Sequence, residues 1–248
     1  MSIHDERRSV AGGVMRPERV VVRDGALFVD AAAAWIADTI AAVLAERERC
    51  SIALAGGRTP RAIYEHLVDR YVNVPWPLLD IYFGDERRVP PDDPASNFRM
   101  AYDALLSRVP IEPERVHRMP GEREDADRAA REYEAVLPAS LDVVLLGLGA
   151  DGHTASLFPG APELHERERR VLPSTSPVPP VGRLTITPPV IAAATHVAIM
   201  TAGSSKAAAV ARALEGRFDP FTLPVQFALR GSWILDRDAA ALLRVVPA

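Results

Sequence analysis

Short apolar runs alternate along the chain with longer segments whose apolar residues recur every three to four positions. The runs at residues 19–22, 51–55, 80–84, 141–147, 195–201 and 232–235 predict strands. The segments 29–48, 59–71, 96–108, 124–137, 204–215 and 237–245 predict helices, with Asp30 and Ser96 placed to cap the first and third. The run LDVVLLG at 141–147 is almost wholly apolar, as a strand covered on both faces would be. This alternation predicts an α/β fold, a doubly wound, mainly parallel sheet with helices on both faces in the Rossmann manner. No repeat and no Gly/Ser-rich linker interrupts it, so a single domain over residues 1–248 is expected. In such sheets ligands sit beyond the carboxyl ends of the strands, which directs attention to the loops that follow them.

One stretch breaks the pattern. Residues 159–182 carry Pro159, Pro162, Pro173, Pro177, Pro179 and Pro180, a composition that resists regular structure. It reads either as a stiff loop over a site or as an ordinary surface crossing.

Composition sharpens this picture by exclusion. The 248 residues are 48% hydrophobic and 25% charged, which removes disordered, collagen-like and coiled-coil classes. A net charge of −4 gives no global attraction to nucleic acid or anionic lipid, so neither is expected as a partner. No uninterrupted apolar stretch reaches about 18 residues, and the N-terminal segment has no apolar signal core. A cytoplasmic protein, monomeric or weakly self-associating, is the expectation. Cys50 is the only cysteine; it precedes an apolar run and reads as a buried structural thiol. Lys206 is the only lysine among 29 basic residues.

Five strand-end motifs carry candidate chemistry. Ala55-Gly56-Gly57-Arg58-Thr59-Pro60 follows a strand; Thr59 suits a helix N-cap and Pro60 the first helical position. Exposed N–H groups at such a start favour a phosphate, although a plain strand–turn–helix connection would use the same residues. Gly84-Asp85-Glu86-Arg87-Arg88 crowds two acids and two arginines at a strand end, for catalysis, polar binding or a surface ion-pair network. Gly147-Leu148-Gly149-Ala150-Asp151-Gly152-His153 brings a histidine, suited to proton transfer near neutrality, into a glycine-rich turn; Asp151 can orient the ring or cap a helix. No metal-ligand spacing accompanies it, and no metal or cofactor is expected. Arg183 leaves the proline-rich stretch, and Lys206 sits in a first helical turn, where a cation opposes the helix dipole unless an anion partners it.

These motifs, in this order, resemble the 6-phosphogluconolactonase family. The segments GDERRVPPDDPASNFRMAYDALL from Gly84 and DVVLLGLGADGHTASLFPG from Asp142 carry most of the resemblance. The wider superfamily includes glucosamine-6-phosphate deaminases, whose histidine element continues as an apolar-aromatic-Asn-Glu-Pro run. Here it continues Thr154-Ala155-Ser156-Leu157-Phe158-Pro159, the lactonase form. The chain departs from the family at Ala55, where a serine or threonine usually begins the phosphate loop, and at Arg58, where a small residue is common.

The resemblance implies hydrolysis of 6-phospho-D-glucono-1,5-lactone in the oxidative pentose phosphate route, with a small sugar phosphate as the only partner. It implies His153 as general base, Asp151 orienting it, and Arg87 stabilising the oxyanion. Arg183, Lys206, Thr59 and the Gly56 and Gly57 amides would hold the phosphate, with Arg58 adding charge. Asp85 or Glu86 would orient Arg87 or bind sugar hydroxyls. Two rivals follow from the same superfamily: a deaminase, betrayed by ammonia release, and a non-catalytic sugar-phosphate sensor.

Overall fold

The computed structural model describes residues 17–244. In chain order its first elements are β1 (Arg19–Arg23), α1 (Gly25–Glu46), β2 (Cys50–Leu54), α2 (Arg58–Arg70), β3 (Leu79–Phe83) and β4 (Asp85–Arg87). Next come α3 (Asn97–Ala104), α4 (Ala126–Val136), β5 (Val143–Leu146), β6 (Val171–Thr175) and β7 (Gly182–Ile186). The chain finishes with α5 (Pro188–Ala193), β8 (His196–Thr201), α6 (Ala207–Glu215) and β9 (Ser232–Asp236).

Six strands form one sheet in the order β1-β9-β8-β5-β2-β3, with every neighbouring pair parallel. Helices flank it, as the alternating pattern predicts. The chain winds outward from β2 to β3, then crosses back to β5 and continues the other way through β8 and β9. The reversal leaves a crevice between the carboxyl ends of β2 and β5, the place where such sheets bind ligands. All four residues of β5 are buried, which accounts for its unbroken apolar sequence. Cys50 is fully buried at the start of β2, and burial pushes its thiol up to about 12.

Three strands form a second sheet, order β4-β7-β6, antiparallel throughout. It corrects the expectation that residues 159–182 resist regular structure: β6, with Pro173 inside it, is a strand. Pro173 lies on the sheet edge, where its missing N–H costs no ladder bond. Gly84 joins the two sheets, donating to the Leu54 carbonyl and accepting from the Ile186 amide, both at 2.9 Å.

Several boundaries move. α1 begins five residues before Asp30, because Phe28 already anchors it in the core. Asp30 is therefore no cap; its carboxylate meets His66 Nε2 and the Tyr71 hydroxyl, each at 3.0 Å. By length and composition α1 is apolar enough to cross a bilayer. Here Phe28, Ala32, Ile36, Ile40 and Val43 bury its inner face in the protein core. The helix predicted at 237–245 does not form: residues 237–241 make turns in which Asp236 takes the Ala239 amide at 2.7 Å. Val245 and the N-terminal segment read for a signal lie outside the described residues.

Candidate active site

A cleft of about 710 Å³ opens over the carboxyl ends of β2, β5 and β8 and is walled by β4 and β7. That volume suits a small ligand. Every residue predicted for the site lines it except Glu86.

The β2–α2 loop forms one wall. Gly57 takes a φ of 106°, a conformation that favours glycine, and it occupies the cap position of α2. This sharp turn starts the helix at Arg58, so Thr59 and Pro60 are its second and third residues and not the cap and first residue predicted. Thr59 makes no side-chain cap, which leaves its hydroxyl to the cleft that it lines. The first intrahelical bond comes from the Arg61 amide to the Gly57 carbonyl at 3.1 Å; the Arg58 and Thr59 amides are the unpaired donors of a helix start. Behind the loop the buried Tyr64 hydroxyl donates to the Ala55 carbonyl at 3.0 Å and accepts from the Ala55 amide at 2.9 Å. Tyr133 makes the same pair of bonds to Phe83, at 3.1 and 2.7 Å, at the end of β3.

The β5 end carries the histidine. His153 Nδ1 lies 2.6 Å from Asp151 Oδ1, and the same carboxylate oxygen accepts from the His153 amide at 3.1 Å. The contact leaves Nε2 as the ring nitrogen available to a ligand. Phe158 packs against the ring with centroids 4.8 Å apart. Burial raises the Asp151 carboxyl, but the hydrogen bond and charge of His153 outweigh it and hold the carboxyl below its ordinary value. A carboxylate bound to Nδ1 fixes ring orientation and stabilises an imidazolium formed on Nε2.

The small sheet supplies side chains through its two-residue alternation. Asp85 pairs with Thr185 and Arg87 with Arg183, so Asp85, Arg87 and Arg183 share the face toward the cleft. Glu86 points to the other face. Its carboxylate accepts from the amides of Arg87, Asn97 and Phe98 at 2.7–2.8 Å and from Ser96 Oγ at 3.0 Å, holding the start of α3. Burial raises its carboxyl above the ordinary value despite those donors. Ser96 caps α3 as predicted, accepting the Arg99 amide at 3.2 Å.

Like charges directly opposite on adjacent strands are unfavourable. Arg87 and Arg183 nevertheless face each other, each bonded only to backbone carbonyls among the described residues: Arg87 to Ala95, and Arg183 to Pro180 and Gly182. Burial, and after it the Arg87 charge, pull the Arg183 guanidinium below its ordinary value. Lys206 closes the far side, in a 3₁₀ turn immediately before α6. Burial lowers its ammonium; the Asp151 charge opposes that shift and the Arg58 charge adds to it. Arg58, Arg87, Arg183 and Lys206 thus line one cleft without an ion-pair partner among the described residues, an arrangement that suits an anionic ligand.

Sequence reasoning missed the support behind these groups. Asn97 donates to the Asp85 carbonyl at 2.9 Å and to its carboxylate at 3.0 Å; Ser156 Oγ donates to the other carboxylate oxygen at 2.6 Å. Asn97 and Ser156 both lie in quoted motifs, but nothing in their spacing announced the pairing, which depends on how the two sheets meet. Ser176, Pro177 and Val178, at the tip of the proline-rich stretch, line the cleft as the loop-over-a-site reading requires. Among the described residues no three His, Cys, Asp or Glu side chains gather as a metal site.

A parallel α/β sheet with a helix start and four cations that have no ion-pair partner among the described residues, beside a histidine–carboxylate pair, forms a cleft suited to a small anionic ligand. The profile of the family described as glucosamine-6-phosphate isomerases/6-phosphogluconolactonase matches residues 23–235, and the chain belongs to this family, on its 6-phosphogluconolactonase side. It is 39% identical to the 6-phosphogluconolactonase of Streptomyces coelicolor over 249 residues, covering 92% of this chain and 95% of that one. It is 38% identical to that of Mycobacterium tuberculosis over 237 residues, covering 89% and 96%. The solved 6-phosphogluconolactonase of Trypanosoma brucei superposes with a TM-score of 0.82 at 30% identity, over 92% of this chain and 99% of that one. A monomeric glucosamine-6-phosphate deaminase superposes with a TM-score of 0.79 at 24% identity, a likeness of fold alone.

Proposed function

We propose that the protein hydrolyses 6-phospho-D-glucono-1,5-lactone to 6-phospho-D-gluconate, with His153 as the general base. The observation that carries this reading is the His153–Asp151 pair, 2.6 Å apart, in a cleft that also holds a helix start and four cations without an ion-pair partner among the described residues. The phosphate is a dianion; the Gly57-Arg58-Thr59 turn, Lys206 and Arg183 supply amides and positive charge for it. Fixing the phosphate at one end places the lactone carbonyl at the other by geometry.

His153 Nε2 takes a proton from a water molecule as the water oxygen bonds to the carbonyl carbon. The carbonyl π pair moves to oxygen, and Arg87 stabilises the resulting oxyanion. When the oxyanion collapses, the bond from carbon to ring oxygen breaks, and the imidazolium returns its proton to that oxygen. Asp151 holds the ring and offsets its transient charge. The acid formed ionises to the carboxylate. Asp85, on the same face as Arg87, accepts from sugar hydroxyls.

The test uses freshly generated lactone in a coupled assay, corrected for spontaneous hydrolysis. His153→Ala lowers kcat by about 10²–10⁴-fold with KM little changed. Near-normal turnover by that variant removes the base assignment. Ammonia release from glucosamine 6-phosphate by the wild type would instead favour the deaminase reading.

A further inference from the structure

Asn97 has two ends with different fates. Its Nδ2 is fully engaged by Asp85, which fixes the orientation of the carboxamide: turning it over would set an acceptor against two acceptors. Its Oδ1 is buried and has no hydrogen-bond partner among the described residues, in a side chain only 1% exposed. Buried unpaired acceptors are rare and call for an explanation. Here the oxygen is pressed against Gly56. A Cβ at Gly56 would lie 1.9 Å from Oδ1, 2.2 Å from Cγ and 2.5 Å from Nδ2 of Asn97.

We infer that Asn97 is a positioning residue that sets the distance between the phosphate end and the reacting end of the cleft. One face of its carboxamide seats Gly56, and its amide holds the Asp85 strand. Through Asp85, Ser156 Oγ ties in the turn that begins two residues after His153. Three loops from three strands are thereby referred to a single planar group. Gly56 is a glycine because Asn97 occupies the space of its side chain, and not because of backbone strain: its φ is not among the positive ones.

This inference rests on the proposed lactonase reading for its kinetic readout, so wild-type turnover is measured first. Absence of turnover defeats that reading alone, and binding of inorganic phosphate by calorimetry then still reports on the interlock. With turnover present, Gly56→Ala and Asn97→Ala each raise KM for the phosphorylated lactone by about tenfold, while KM for the unphosphorylated lactone stays within about twofold. The double variant, in which the new methyl occupies the vacated space, is no worse than either single one, because neighbours that share a space are not additive. Asn97→Asp keeps the shape against Gly56 but turns an acceptor toward Asp85. It therefore lowers kcat several-fold with KM for the phosphorylated lactone unchanged, and Asn97→Ala, which loses the same bonds to Asp85, lowers kcat alike in addition to raising KM. Multiplicative losses in the double variant overturn the inference, as do equal KM changes on both lactones. So does a loss of thermal stability in Asn97→Ala and Asn97→Asp with unaltered kinetics.

Discussion

The two sheets build the two halves of the cleft by different means. The large parallel sheet works through its backbone: strands end, helices begin, and the Arg58 and Thr59 amides are left unpaired beside the cleft while Tyr64 holds the loop from behind. The small antiparallel sheet works through its side chains, with cross-strand register placing Arg87 beside Arg183 and two-residue alternation turning Glu86 away. A parallel sheet presents helix starts at one edge and suits an anion that is always present. An antiparallel ladder presents side chains at fixed spacing, so the proposed roles divide within it: Arg87 for a charge that develops at one atom, Arg183 for the phosphate.

The sharpest way to break this contrast is Arg87→Ala. Loss of an oxyanion donor from the side-chain half lowers kcat by about 10²–10³-fold and leaves the urea midpoint near the wild-type value. A change confined to KM would make both halves grips and dissolve the distinction. Gly57→Ala probes the backbone half. A methyl at φ 106° costs on the order of 1–3 kcal/mol of stability, read by chemical denaturation, and raises KM for the phosphorylated lactone by about tenfold with kcat retained. A fall in kcat without a KM change would show that the turn serves chemistry.

The smallest effect is a pH dependence at Lys206. Phosphate is held by the charged ammonium, and burial lowers the pH at which that charge is lost. KM for the phosphorylated lactone therefore begins to rise, by a few-fold, at a lower pH than an ordinary lysine would give. Lys206→Arg, always charged, flattens this alkaline limb. An unaltered limb in that variant would assign it to another group.

The same contrast separates what was legible in the sequence from what was not. The parallel strands were readable because a doubly covered strand such as Val143–Leu146 must be apolar along its whole length, and the glycines and prolines that follow such runs mark the loops. The small sheet was not readable. β4 is the tripeptide Asp-Glu-Arg and β6 contains a proline; both exist through pairing with β7, which sits about a hundred residues beyond β4. Glu86 was grouped with Asp85 because the two adjoin in sequence, and recognising β4 as a strand is what separates them by face. Residue preference puts the cap position of α2 at Thr59, whereas a positive φ at Gly57 starts the helix two residues sooner. The early start of α1 and the turns after β9 were decided by Phe28 and Asp236, through contacts that lie outside local preference.

The two tyrosine clasps have a thermodynamic consequence. Each phenol satisfies both the N–H and the C=O of one residue at a strand end, Tyr64 at Ala55 and Tyr133 at Phe83. The loops that follow are thus ordered when the chain folds. Their conformational entropy is lost at that step and not at the arrival of a ligand, so the affinity of the cleft is spared the penalty that a mobile loop imposes on binding.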